Sequence, residues 1–164
     1  MGKELWMTEH MDTLTTWQAN LGTGKEIHDA MAEANFRAYL WWYIKRFYGP
    51  LRENGAISKR GYVMAQYSKF VRPGAHRVAV TGASSPDDVY VSAYDGEDAA
   101  IVALNLGSDP VTLRPQLQDR DISGVTPVRT QADSNLVEHE TVPVSDGRFT
   151  HTLPPESITT FAAP

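Results

Sequence analysis

The run Lys3-Glu4-Leu5-Trp6-Met7-Thr8-Glu9-His10 is short, rich in apolar residues, ends near a carboxylate and gives way to a polar segment at 12–24. A barrel strand delivers a catalytic glutamate in this way, placing the acid at the rim where loops and substrate meet. Such a carboxylate can serve as a nucleophile or as a general acid or base. Hydrolysis of a glycosidic bond needs two of them, about 5 Å apart when configuration is retained and wider when it is inverted. Glu9 is the candidate in this half of the chain, because Glu26 and Glu33 fall on a predicted helix and Glu53 in a turn. Barrel rims also carry structural acids, so position alone leaves both roles open for Glu9.

Trp41, Trp42 and Tyr43 close a second strand-like run, and Lys45, Arg46 and Tyr48 follow in the loop expected at the same rim. Alternation sends one tryptophan toward a barrel interior and the other toward the helices. Aromatic rings pack on sugar faces, although buried rings are more often simply core. Trp41 reads as core, while Trp42, nearer the rim, is divided between the two. A guanidinium fork matches a carboxylate bidentately, and a tyrosine hydroxyl can add a third bond. The plainer reading of Arg46 and Tyr48 is a solvent-exposed basic loop anchored by the tyrosine. Along an extended chain Lys45 would point away from Arg46.

The elements that would position these residues divide near Arg72-Pro73-Gly74. Before it, 4–8 reads as a strand, and 25–36 as a helix with Ile27, Ala30, Met31 and Ala34 on one face. A buried strand is expected at 38–44, and Ser58 caps a helix bearing Tyr62, Val63, Gln66, Tyr67 and Phe70. Pro73-Gly74 ends it. This βαβα order is the repeating unit of a parallel sheet or barrel. After it, strand-like runs are expected at 77–81, 89–94, 99–106, 111–113, 127–131, 136–142, 148–153 and 158–162. Ser84-Ser85-Pro86-Asp87, Asp95-Gly96, Gly107-Ser108-Asp109-Pro110, Ser145-Asp146-Gly147 and Leu153-Pro154-Pro155 punctuate them. That pattern predicts an antiparallel β-sandwich. The expected fold is therefore α/β in 1–73 and all-β in 74–164, tightly joined. A complete barrel needs eight strands, and two βα units with bare edges are not expected to be stable alone.

Composition narrows the partners. The 164 residues are 41% apolar and 10% aromatic, with four tryptophans and no cysteine, which rules out disulfides and thiolate metal sites. Zero cysteine suits a secreted bacterial protein and a cytosolic one alike. No run approaches the roughly 18 apolar residues of a membrane span. No signal peptide is present, and Met1-Gly2 reads as a start made by cloning or within a gene fragment. Between Lys45 and Arg72 seven basic residues face one acid, a net +6, so the rest carries −11 of the overall −5. Net negative charge argues against nucleic acid. The basic stretch reads mainly as a solvated face, with a local field suited to an acidic sugar.

Long blocks of the sequence resemble one family. They are Leu5-Trp6-Met7-Thr8-Glu9-His10, Trp41-Trp42-Tyr43-Ile44-Lys45-Arg46-Phe47-Tyr48-Gly49-Pro50, Ile57-Ser58-Lys59-Arg60-Gly61-Tyr62 and Tyr67-Ser68-Lys69-Phe70-Val71-Arg72-Pro73-Gly74. Val89-Tyr90-Val91-Ser92-Ala93-Tyr94 and Leu153-Pro154-Pro155-Glu156-Ser157-Ile158-Thr159-Thr160-Phe161 continue the likeness. Together they are similar to the bacterial glucuronoxylanases of glycoside hydrolase family 30, the subfamily that cleaves methylglucuronoxylan. The resemblance implies a retaining endo-β-1,4-xylanase on a (β/α)8 TIM barrel with a side β-sandwich, secreted and needing no cofactor or metal. It implies Glu9 as the nucleophile ending the seventh strand, and Trp42, Arg46 and Tyr48 as the glucuronate-binding residues after the eighth. Thr13, Thr15 and Thr16 are candidates for a further hydroxyl on the uronate. The first six strands, the acid/base glutamate and an N-terminal segment of the sandwich have no counterpart here. The chain then corresponds to the C-terminal portion, with a glucuronoxylan substrate and a complementary barrel chain, or self-association, as partners. The alternative is a carbohydrate-binding or assembly fragment without activity of its own.

Overall fold

The computed structural model describes residues 3–81 and 88–163; Met1-Gly2 and the turn expected at Ser84-Ser85-Pro86-Asp87 lie outside them. The first half runs β1 (Trp6–His10), α1 (Trp17–His28), β2 (Ala38–Trp41) and α2 (Lys59–Ser68), with a π-helical turn at Asp29–Glu33 prolonging α1. β1 and β2 pair in parallel. β1 lies two residues later than expected, because its pairing runs from Trp6↔Ala38 to His10↔Trp41 with a bulge between Met7 and His10. Glu9 is thus the penultimate residue of the strand rather than the residue beyond it.

Two more expectations are corrected. The helix foreseen at 25–36 starts at Trp17, inside the segment read as a polar loop. Thr16 caps it, its hydroxyl accepting from the Ala19 N–H at 3.2 Å. The low helix propensity of the Gly22 to Gly24 stretch is outweighed by burial of Leu21 and Ile27 against α2 and the sheet. The strand foreseen at 38–44 stops at Trp41. Beyond it the chain turns on itself, with Leu51 N–H donating to the Ile44 carbonyl at 2.9 Å and Gly49 N–H to the Arg46 carbonyl at 3.0 Å. Alternation therefore does not extend to Lys45 and Arg46, and both side chains are exposed. The Ser58 cap was placed correctly, its hydroxyl accepting from Gly61 N–H at 3.1 Å.

The second half holds β3 (His76–Val78), β4 (Val89–Asp95), β5 (Ala99–Asn105), β6 (Val111–Leu113), β7 (Gly124–Thr130), β8 (Val137–Glu138), β9 (Val142–Pro143), β10 (His151–Leu153) and β11 (Ser157–Ala163). A large antiparallel sheet has the order β3-β4-β5-β11-β7-β8, with β9 also on β7, and β6 pairs with β10 in a separate ribbon. Alternation along β5 and β11 gives the sheet two apolar faces. Val102, Leu104 and Ile158 meet Leu21, Ile27, Val63 and Tyr67 of the helices. Ala103, Phe161 and Ala163 on the opposite face meet Leu153 of the ribbon, Phe149 and Val125.

The helices and the large sheet are also pinned by one buried polar side chain. Gln66 of α2 donates to the Thr130 hydroxyl at 2.9 Å and accepts from Thr160 at 2.6 Å. Leaving any of these groups unpaired in the core would cost about 1–3 kcal/mol. The junction at 73–74 therefore joins parts that share a core.

Candidate active site

The bulge in β1 fixes which residues face the helices. Met7 and His10 pair with Tyr39 and Trp41. On that side His10 Nε2 lies 2.8 Å from Glu26 Oε2, and the Tyr39 hydroxyl donates to the same oxygen at 3.3 Å. Burial, reinforced by the Glu26 charge, raises the Tyr39 hydroxyl above its ordinary pKa. Trp41 is buried, its ring covered by the Arg60 guanidinium at 4.3 Å. Glu9, next to His10, projects from the other face by alternation and is exposed, as are Trp6 and Leu40. Glu26 is accordingly occupied by His10 and Tyr39 behind the sheet.

Arg60 organises the rim. It is 2% exposed, although the basic stretch 45–72 reads as a solvated face. Its guanidinium donates to the backbone carbonyls of Asp12, Leu14 and Tyr48 and to the Asp12 carboxylate, which lies 3.3 Å away. The loop after β1 and the loop after β2 are thereby held to one side chain of α2. Burial lowers its pKa while Asp12 opposes the shift, and the group stays charged. Gly49 and Gly61 permit the close approach: a Cβ on Gly49 would strike the carbonyls of Tyr43 and Ile44, and one on Gly61 the carbonyl of Pro50.

Lys59 departs from the solvated reading too. Its ammonium donates to the carbonyls of Gln131 at 2.7 Å and Ser134 at 3.0 Å and to the Asn135 side chain, and burial lowers its pKa against the opposing charge of Asp133. It ties α2 to the loop between β7 and β8.

The expected site residues fall into two groups. Trp42, 44% exposed, stacks on Tyr43 with centroids 4.3 Å apart, and Arg46 lies over the Tyr43 ring at 5.2 Å. Arg46 also stands 3.7 Å from Glu53. Tyr48 is buried, edge-on to Phe47, and with Thr15 it lines an open cleft of about 590 Å³ bounded by Asn20, Arg52, Ser58 and Arg60. Thr13, Trp42 and Arg46 do not line that cleft. Thr13, Thr15 and Thr16 are all exposed, and the Thr16 oxygen is engaged as the helix cap. Sequence reasoning missed Arg60 and Asp12. The available signal was the spacing of Arg60, second residue of α2, three and seven positions before the buried Val63 and Tyr67. Among the described residues no group of three or more His, Asp or Glu side chains is placed to hold a metal ion.

The fold, a parallel βαβα segment with an exposed glutamate near the end of its first strand, followed by an antiparallel sheet, matches solved family 30 xylanases. The chain superposes on a GH30 endoxylanase from Clostridium papyrosolvens with a TM-score of 0.92 and 41% identity, covering 99% of this chain and 42% of that one. On a subfamily 8 xylanase from Clostridium acetobutylicum the TM-score is 0.91 and the identity 35%, covering 98% and 42%. Among curated sequences it is 45% identical to glucuronoxylanase XynC of Bacillus subtilis over 167 aligned positions, 98% of this chain and 39% of that protein. No protein-family model matches. The chain is a homologue of the C-terminal part of the bacterial family 30 glucuronoxylanases and spans about two fifths of their length.

Proposed function

We propose that this chain is the C-terminal portion of a retaining endo-β-1,4-xylanase that hydrolyses glucuronoxylan. In this reading 1–73 supplies the last two βα units of a (β/α)8 barrel and 74–164 its side β-sandwich. The observation that carries it is the placement of Glu9 on the face of the β1–β2 pair that the helices leave uncovered, in a chain 45% identical throughout to a glucuronoxylanase. The Glu9 carboxylate attacks the anomeric carbon as the leaving sugar oxygen takes a proton, and water then releases the glycosyl-enzyme ester. The proton donor is a glutamate contributed by the complementary part of the barrel. The loop after β2 holds the glucuronate branch through Arg46, with Trp42, Tyr48 and a hydroxyl of the 13–16 loop beside it. The parent enzyme acts outside the cell on its polymeric substrate.

The test is complementation. Mixing the chain with a polypeptide carrying the remaining six strands is expected to yield xylanase activity, and Glu9→Gln in the same mixture should lower it by several orders of magnitude with folding intact. Glu9→Gln keeps the shape but removes the anionic oxygen. Near-normal turnover of that variant would sink the assignment of the nucleophile.

A further inference from the structure

The large sheet carries a cluster of basic groups that the glycosidase reading leaves unused. Arg129 on β7 faces the side of the sheet opposite the helices, because its neighbours Val128 and Thr130 face α2. Its Nη2 lies 3.3 Å from His151 Nε2 on β10, and its Nε is buried without a hydrogen-bond partner. Arg129 is paired in register with Thr159 of β11, whose fully buried hydroxyl also lacks a partner. His139 follows β8, its N–H donating to the Pro127 carbonyl at 2.9 Å, which continues the ladder and brings its side chain to the Arg129 face.

What is unusual is the missing counter-charge. None of the ion pairs among the described residues involves Arg129, His139 or His151. Of the two acids flanking His139, Glu138 pairs with Val128 and so lies on the opposite face. Glu140 makes no ion pair with the cluster. Burial lowers the pKa of all three basic groups; the Arg129 charge lowers both histidines further, and no carboxylate opposes it. A half-buried guanidinium whose only side-chain partner among the described residues is an imidazole is poorly compensated. An anionic ligand would supply that compensation and turn both imidazoles into donors.

We propose that Arg129, His139 and His151 form a binding site for a small anionic group, the carboxylate of a uronate sugar or an inorganic oxyanion, on the antiparallel sheet. The site stands on the geometry of β7, β8 and β10 and does not depend on the glycosidase reading. Anion occupancy must favour the protonated imidazoles and so slow their acylation, which requires the neutral ring.

The experiment follows carbethoxylation of each histidine in the full chain by mass spectrometry near pH 7. Sodium sulfate, sodium D-glucuronate, D-xylose and sodium chloride are compared, the salts at equal ionic strength. At about millimolar anion the rates at His139 and His151 should fall several-fold relative to chloride, while that of exposed His76 stays unchanged. D-xylose should have no effect. Protection by glucuronate alone identifies a sugar carboxylate as the ligand, by sulfate alone an inorganic oxyanion, and by both a site selective only for charge. Arg129→Gln should abolish the protection, and if that variant does not fold, His151→Gln read at His139 should do so. Equal rates in all four additives, a uniform change at every histidine, or full protection in the folded variants would overturn the proposal.

Discussion

In the proposed function Arg46 is the residue on which substrate selectivity would turn. Its guanidinium lies over the Tyr43 ring and 3.7 Å from Glu53, with the arginine side chain 52% exposed. In the proposed reading Glu53 is a weak competitor that an incoming uronate would have to displace. Truncating one partner of a desolvated charge pair costs 2–5 kcal/mol. The exposure and the competing acid place Arg46 at the low end, about 2 kcal/mol, or roughly 30-fold in rate. In the complemented enzyme Arg46→Ala should therefore lose about 30-fold in kcat/KM on glucuronoxylan and little on unbranched xylan. On the proposed mechanism, binding energy from the branch would also orient the scissile bond over Glu9, so kcat should fall as well. Lys45→Ala, which removes an exposed side chain with no ion pair among the described residues, should change neither substrate. Equal losses on both substrates for Arg46→Ala would show a structural role and move the uronate site elsewhere.

At the scale of elements, α2 brings the two rim loops together through Arg60. Arg60→Met preserves much of the stem but leaves the carbonyls of Asp12, Leu14 and Tyr48 and the Asp12 carboxylate without their donor. Breaking a buried charged network in this way costs about 3–5 kcal/mol. Urea denaturation should register that loss, and unchanged stability would mean that the loops are held by other contacts. A pH effect belongs to α1. His28, 5% exposed and edge-on to Tyr90, has its pKa lowered below the ordinary 6.5, mainly by burial, although Asp29 and Glu33 oppose the shift. The unfolded chain then takes up the proton first, so stability is full above about 6.5 and declines as pH falls toward the depressed folded value. His139 and His151 shift the same way. Denaturation midpoints should drop between pH 7.5 and 5.5, less in His28→Gln than in the parent. A midpoint that rises over this range would contradict the shift. The sequence revealed such elements where local rules decide them: Ser58 as a cap, the β111–113 strand, and the turn at Ser145-Asp146-Gly147, whose last two residues have positive φ. It concealed them where tertiary contacts decide. α1 begins early because Leu21 is buried by the sheet, β1 shifts because of a bulge, and β2 ends early although Trp42 to Ile44 have strand-like composition. Motif and position single out Glu9, Trp42 and Arg46 as candidates, and all three are exposed. The role of Arg60 was not legible, because its partners Asp12 and Leu14 lie 48 and 46 residues away in sequence.

At the scale of the whole molecule the two ends of the fold are unequally finished. The antiparallel sheet is covered on one face by helices and on the other by the β6–β10 ribbon. The β1–β2 pair has one covered face, and among the described residues β1 pairs with β2 alone. Its other face and the adjoining loops expose Trp6 at 58%, Leu40 at 44%, Ile44 at 65% and Phe47 at 62%. Two parallel strands cannot close a barrel, and free strand edges beside exposed apolar side chains template association. The isolated chain is therefore expected to self-associate and to lack xylanase activity, while its antiparallel half remains folded. Size-exclusion chromatography with light scattering should find species larger than the 18.2 kDa monomer. Trp6→Lys together with Leu40→Lys, which charges the open face without touching the covered one, should shift the distribution toward monomer. Adding the complementary six-strand chain to the unmodified protein should replace the self-associated species with a one-to-one complex, and activity should appear with that complex. The lysine pair should block this rescue, because the same face must then be buried in the barrel. A monodisperse monomer that unfolds cooperatively and cleaves xylan unaided would show that the exposed face needs no partner, and would refute the proposal that catalysis requires a second chain.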